Sequence, residues 1–121
     1  MVKYFFDSYA IIEIIKGNHN YIKFIKEEVT ITIFNLVEIY WSSLNDLNEE
    51  AADEIFTKYK NALVDTNDNI LKEAIRFRKE NKKKNLSYTD CIGYIYALKN
   101  KMVFLTGDKE FEKLPNVEFV K

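Results

Sequence analysis

Short apolar segments alternate with longer segments of helical periodicity along this 121-residue chain, and this alternation limits its fold more than any other feature. The short segments are rich in β-branched and aromatic residues, which favour strands. They comprise residues 2–6, 30–33, 63–65, 102–106 and 117–120. Strands that alternate with helices usually form parallel sheets covered on both faces. We therefore predict a three-layer α/β/α fold with a mainly parallel central sheet of four to five strands.

The intervening segments carry helix signals at their ends. Residues 7–17 have helical spacing and stop at Gly17, Asn48 can cap an acidic helix, and residues 87–100 are apolar almost all round, as expected of a buried helix. Further helices are predicted within residues 18–28, 34–46 and 67–85, with a helical turn at 109–114. No linker or repeat interrupts the pattern, so residues 1–121 are expected to form one domain.

Composition excludes several classes of site. The single Cys91 rules out an intrachain disulfide, and with His19 as the only histidine the chain cannot assemble a Cys/His zinc site. The net charge of −1 indicates no particular partner. No apolar stretch approaches the roughly 18 residues of a membrane span, and no signal-type leader precedes the first strand. We expect a soluble cytoplasmic protein.

Four acidic residues occupy positions where a surface carboxylate would not be expected. Asp7 and Asp108 follow apolar strands, and ligands of open parallel sheets bind beyond such strand ends. Glu38 falls on a helical face with apolar neighbours, which are Phe34, Val37, Trp41 and Leu44. Asp90 lies one turn into the buried-looking helix. We predict that the four carboxylates meet.

Four carboxylates in one place repel one another unless a cation neutralises them. Oxygen ligands without histidine or thiolate favour Mg²⁺ or Mn²⁺. Each acid also has a simpler explanation. Asp7 and Asp108 can cap the helices that follow them, Ser87 with Asp90 approximates a capping box, and Glu38 can be a lone acid satisfied by hydrogen bonds. Capping and metal binding are compatible, so these alternatives remain open.

The ordered set of motifs resembles the PIN domain, a small Mg²⁺-dependent ribonuclease fold, and in particular the VapC toxins of toxin–antitoxin pairs. The motifs are YFFDSYAII, ITIFNLVEIY, LSYTDCIGYIYAL and VFLTGDKEF, and together they extend over nearly the whole chain. The resemblance implies that Asp7, Glu38, Asp90 and Asp108 form the catalytic metal pocket, with Ser8 and Thr106 supporting it. It also implies an RNA substrate cut to 5′-phosphate and 3′-hydroxyl ends, an antitoxin partner and a homodimer.

This sequence departs from the common PIN pattern at three positions. Tyr9 stands where a small polar residue is frequent, Gly93 where some members carry a further acid, and Glu110 where aspartate is common. These differences affect a possible fifth ligand and leave the four acids in place.

The segment from Lys72 to Lys84 is strongly basic and leads into the helix of Asp90. Lys82, Lys83 and Lys84 are candidate contacts for an RNA backbone, although a solvated helix end is the simpler explanation. Two alternative functions remain. A catalytically silent PIN-like interaction module would keep the fold without metal affinity, and a response-regulator receiver would need paired acids after its first strand, where Asp7 stands alone.

Overall fold

A computed structural model describes residues 1–121 and has three strands and five α-helices. In chain order the elements are β1 (Tyr4–Phe6), α1 (Ser8–Ile15), a 3₁₀ helix (His19–Phe24), α2 (Ile33–Asp46), α3 (Glu49–Lys60), α4 (Asp68–Glu80), α5 (Tyr88–Lys99), β2 (Val103–Thr106), a second 3₁₀ helix (Lys109–Phe111) and β3 (Val117–Phe119). The predicted α/β class with a parallel sheet is confirmed, although α2 to α5 follow one another without an intervening strand. None of the helices combines the length and apolar character that crossing a bilayer requires.

The sheet is parallel with strand order β1-β2-β3, and Tyr4 pairs with Val103 while Phe104 pairs with Val117. Three strands are fewer than the four to five predicted. The two missing ones, at residues 30–33 and 63–65, are reduced to one isolated parallel bridge between Ile31 and Leu63. The Phe6 amide donates to the Thr30 carbonyl at 3.0 Å, so these segments still extend the sheet beyond β1. They stay short because Thr32 already caps α2.

Side chains alternate across the sheet, so successive residues pack against different helices. Phe5 and Phe104 belong to an apolar core formed with α4 and α5. Phe6 and Leu105 belong to a second core formed with α1, α2 and the first 3₁₀ helix. Helices therefore cover both faces, as the predicted three layers require.

Gly93 permits the close packing of α5 on the sheet. A Cβ atom at this position would lie 2.6 Å from Cε1 of Phe5 and 3.2 Å from Cε1 of Phe104. The packing leaves no room for a side chain at position 93, and therefore none for the further acid that the resemblance allows there. The buried face of α5 then holds Cys91, Ile92, Tyr94, Ile95 and Ala97, which confirms its predicted burial.

The prediction for the buried face of α2 is wrong. Phe34, Val37, Trp41 and Leu44 are 39–68% exposed, and the buried residues of α2 are Asn35, Leu36, Ile39 and Ser43. The helix carries apolar side chains on more than one side, and periodicity alone does not tell which side other elements cover. Glu38 lies at the boundary and is half-buried. We refer to Phe34, Val37, Trp41 and Leu44 as the α2 stripe.

Candidate active site

Asp7 is fixed at the carboxyl ends of two adjacent strands. It follows β1 and caps α1, with Oδ1 accepting from the Ser8 amide at 2.8 Å. Its Oδ2 accepts from Oγ1 of Thr106, the last residue of β2, at 2.7 Å. The residue is only 2% exposed. The end of β1 and the Thr106 side chain of β2 together fix the position of this buried carboxylate.

Asp108 is tied to Asp7 through the Thr106 hydroxyl. This hydroxyl donates to Asp7 and accepts from the Asp108 amide at 3.0 Å. The Asp108 Oδ1 accepts from the Glu110 amide at 3.0 Å and caps the second 3₁₀ helix. The parallel pairing of β1 with β2 thus brings together two acids that are 101 positions apart in the chain.

Glu38 reaches the same strand end from α2. Its Oε1 accepts a hydrogen bond of 2.6 Å from Oγ of Ser8, the residue next to Asp7. Ser8 is buried and is held in turn by Nδ2 of Asn35, which donates to Ser8 Oγ at 3.0 Å. The expectation for Glu38 depended on the wrong helical face, but the side chain nevertheless lies beside Ser8.

Asn35 is a positioning residue that the sequence analysis missed. It is fully buried, and its Oδ1 accepts from the backbone amide of Thr32 at 3.0 Å and from the Thr32 hydroxyl at 2.8 Å. Asn35 therefore connects the start of α2 to Ser8 and, through Ser8, to Glu38. The Thr-x-x-Asn spacing at residues 32–35 is a capping pattern that could have drawn attention to it.

Asp90 is oriented by a capping box at the start of α5. Its Oδ2 accepts from the Ser87 amide at 3.0 Å, and the Ser87 hydroxyl accepts from the Asp90 amide at 3.0 Å. The side chain is half-buried. This confirms that capping is one role of Asp90 and leaves its Oδ1 without a protein donor.

The pKa values of Asp7 and Asp90 are raised partly by the charges of neighbouring acids. Burial is the main cause that raises the pKa of Asp7 well above its usual range, and the negative charges of Asp90 and Glu38 raise it further. Hydrogen bonds from Thr106 and Ser8 oppose this shift. Burial also raises the pKa of Asp90, as do the charges of Asp108 and Glu38, against the hydrogen bonds from Ser87.

The four carboxylates do not form a ready-made chelating cluster. No group of three or more Asp, Glu, His or Cys side chains is placed so that it could hold a metal ion. The donor types nevertheless suit a hard cation, because every candidate ligand is a carboxylate oxygen. Glu38 Oε2, Asp90 Oδ1 and Asp108 Oδ2 accept no protein hydrogen bond, yet no buried polar side-chain atom lacks a partner. These three oxygens are therefore not fully buried.

The basic candidates lie next to Asp90 in the chain. Lys82 and Lys83 are exposed and Lys84 is half-buried, in the turn that joins α4 to α5. A cleft of about 520 Å³ lies elsewhere and is lined by residues at the amino end of β1 such as Lys3 and Tyr4. It contains none of the four acids.

The sequence matches the PIN domain family over residues 4–117. No curated protein matches the sequence. Three solved structures are similar in fold: a toxin–antitoxin complex from Klebsiella pneumoniae (TM-score 0.74, 17% identity, 96% of each chain covered), DNA-bound VapBC from Salmonella typhimurium (0.70, 20%, 98% of this chain and 97% of that one), and VapBC2 from Rickettsia felis bound to a promoter DNA fragment (0.71, 16%, 100% of each).

The match extends over all four motifs, and the parallel sheet with helices on both faces agrees with it. It also removes the response-regulator receiver as an alternative. The chain belongs to the PIN domain family.

Proposed function

We propose that this PIN domain is a Mg²⁺- or Mn²⁺-dependent endoribonuclease and the toxin of a toxin–antitoxin pair. The proposal is supported by the hydrogen bonds through Ser8 and Thr106 that link Asp7 to Glu38 and to Asp108 at the carboxyl end of the parallel sheet. The charge of Asp90 also raises the pKa of Asp7. Mutual repulsion makes such a group unfavourable for stability alone. A divalent cation would neutralise this group of acids and use it for catalysis. PIN domains are typically metal-dependent nucleases.

The four acids are the residues that would hold the ion. Asp7 is already fixed by Ser8 and Thr106, while one carboxylate oxygen of each of the other three acids accepts no protein hydrogen bond. When bound, Mg²⁺ or Mn²⁺ would lower the pKa of a water for attack on phosphorus and offset charge on the leaving oxygen. One ion or two would fit this role.

The protein's own contribution is positioning. Ser8 orients Glu38, Ser87 orients Asp90, and Thr106 keeps Asp7 and Asp108 in register. Hydrogen bonds of this kind keep the carboxylate oxygens in fixed directions before substrate arrives. The lysines of residues 82–84 would attract the RNA backbone toward the acids.

A cleavage assay tests the proposal. Purified protein should cut a labelled single-stranded RNA with Mn²⁺ or Mg²⁺ and stop in EDTA. The Asp90→Asn variant should lose at least 100-fold in rate, whereas Glu54→Gln, an exposed acid of α3, should cut normally. Cleavage that survives both EDTA and Asp90→Asn would contradict the proposal.

The α2 stripe supports the toxin assignment, because it is a solvent-exposed apolar surface suited to an amphipathic partner helix. Its positions follow helical spacing, and Trp41 is 68% exposed. Glu38 lies one turn from both Phe34 and Trp41, so a segment bound here would also obstruct the acids. Acidic residues of the adjacent α3, including Asp53 beside Tyr40, favour a partner helix with basic flanks.

We therefore assign the stripe to an antitoxin segment. The product of a neighbouring small reading frame should bind the wild-type protein and inhibit cleavage, and Trp41→Ala should weaken binding at least tenfold without changing the RNA cleavage of the isolated toxin. Equal binding by Trp41→Ala would contradict this assignment. The expected homodimer stays a prediction, which light scattering of the purified protein can check.

One observation favours the second candidate, a catalytically silent PIN-like interaction module. No three acids are placed to hold a metal ion. That candidate predicts no Mn²⁺ affinity and no cleavage at any cation concentration, so the same assay separates the two.

A further inference from the structure

An exposed aromatic ring lies in the same helical turn as Asp90. Tyr88 is the first residue of α5 and is 60% exposed. Isolated exposed apolar residues are common and need no explanation by themselves. This ring, however, packs against a cation and lies two positions from Asp90.

The guanidinium of Arg78 stacks on one face of the Tyr88 ring. The Arg78 Cζ lies 4.4 Å from the ring centroid, well inside the range of a cation–π contact. Arg78 is not free to leave, because its Nε donates to the Leu86 carbonyl at 2.9 Å. The ring is thus supported from α4 on one face, while the residue as a whole stays 60% exposed.

The surroundings of the pair carry positive charge. Lys82, Lys83 and Lys84 lie in the turn between Arg78 and Tyr88. The turn is held by the Lys84 amide, which donates to the Asn81 carbonyl at 2.8 Å, and by Glu110, whose Oε1 accepts from the Asn85 amide at 3.2 Å. Glu110 contacts this turn from the second 3₁₀ helix. The residues between Arg78 and Tyr88 include four that are basic and one acid, Glu80.

We propose that Tyr88, backed by Arg78, is a stacking platform for one base of the single-stranded RNA substrate. Aromatic rings combined with a basic groove are the usual means of holding single strands without reading their sequence. Tyr88 and Asp90 are two positions apart on α5, so they do not face the same way. The stacked base therefore belongs to a nucleotide beside the phosphate at the acids. This proposal rests on the proposed ribonuclease function.

The platform is tested by binding of a single-stranded RNA with one 2-aminopurine, measured in EDTA so that no cleavage is expected. Tyr88→Ala should weaken binding about tenfold, within the range of base–aromatic stacking, and should abolish the quenching of 2-aminopurine at one position. Tyr88→Phe retains the ring and should behave as wild type. Leu98→Ala, which shortens another exposed apolar side chain of α5, is the matched control.

Salt dependence separates the two members of the pair. Arg78→Ala removes a positive charge beside the RNA strand as well as the support of the ring. It should therefore lower the affinity and make the slope of log affinity against log salt less steep by up to roughly 0.7, the value for one cation–phosphate contact on a single strand. Tyr88→Ala should leave that slope unchanged. Thermal unfolding of both variants checks that the fold is intact.

The outcomes distinguish this proposal from the proposed function. If the wild type cleaves RNA with Mn²⁺ but Tyr88→Ala keeps full affinity and quenching, the platform is wrong and the ribonuclease stands. A wild type that neither binds nor cleaves RNA overturns both. If Tyr88→Ala instead weakens only the complex with a protein partner, the surface is a protein contact and the platform is wrong.

Discussion

Replacing Asp7 by asparagine is expected to stabilise the protein without divalent cations and to abolish its response to them. Asp7 is buried beside Asp90 and Glu38, whose charges raise its pKa after burial itself. Asparagine has nearly the same shape and keeps an oxygen that can accept from the Ser8 amide. The substitution therefore removes a buried charge while leaving the cap of α1 in place.

The size of the effect follows from two opposing contributions. The effective penalty of burying one charge is several kcal/mol. The hydrogen bonds from Ser8 and Thr106 recover about 1.5–3 kcal/mol each while Asp7 is charged. In Asp7→Asn the Ser8 amide keeps a neutral acceptor, whereas the Thr106 hydroxyl meets the asparagine NH₂ and has to accept from it instead. A net gain of about 1–2 kcal/mol in the free energy of unfolding is expected, which for a chain of this size raises Tm by roughly 3–10 °C.

The gain should depend on pH. Because the pKa of Asp7 is higher in the folded than in the unfolded state, the folded protein binds more protons between the two values, and its stability falls as pH rises through them. Below the unfolded pKa of about 4 the wild type and Asp7→Asn should have similar stability. Above the folded pKa the full difference should appear.

Thermal unfolding followed by circular dichroism, at pH 4 and pH 7.5 and with EDTA or Mn²⁺, measures all of these terms. At a cation concentration of 100 Kd the wild type should gain about 2.7 kcal/mol, which reverses the order of the two proteins. Glu54→Gln should match the wild type throughout. An Asp7→Asn protein that is less stable in EDTA at pH 7.5, and that gains as much from Mn²⁺ as the wild type, would refute the reasoning.

Three further substitutions or modifications probe the fold and the positioning network. Gly93→Ala should lose about 1–3 kcal/mol in urea unfolding, because its methyl group would meet Phe5, and an unchanged midpoint would contradict the packing described for α5. Asn35→Ala should lose about 2–4 kcal/mol and lower the cleavage rate, since it leaves buried donors unpaired, whereas the exposed Asn45→Ala should do neither. Cys91 is buried, and burial raises the pKa of its thiol to about 11. Alkylation by iodoacetamide at pH 8 should therefore proceed only as fast as the protein unfolds. Rapid labelling of the folded protein would show instead that α5 opens locally.

Local chemistry predicted those parts of the molecule that depend on neighbouring residues. Asn48 caps α3, Gly17 follows α1 with φ of +79°, and Ser87 with Asp90 forms a capping box. In each case the signal and the structure it specifies lie within one turn, so the sequence contains the whole interaction.

Features that depend on distant partners were harder to predict. The α2 stripe has a helical period, but its exposure depends on which elements pack against the helix. The side-chain amide of Asn35 can be buried because its Nδ2 donates to Oγ of Ser8, which lies 27 positions away in the chain. The segments at 30–33 and 63–65 have strand composition, but the start of α2 at Ile33 leaves room for only one bridge.

The most direct test of the central claim is a crystal structure of the protein grown with Mn²⁺, with anomalous diffraction used to locate the ion. The account predicts an anomalous peak at the carboxyl end of β1 and β2, bound by Asp7 and by at least one of Glu38, Asp90 and Asp108. No peak at millimolar Mn²⁺, or a peak held by other residues while these four keep their present hydrogen bonds, would contradict it.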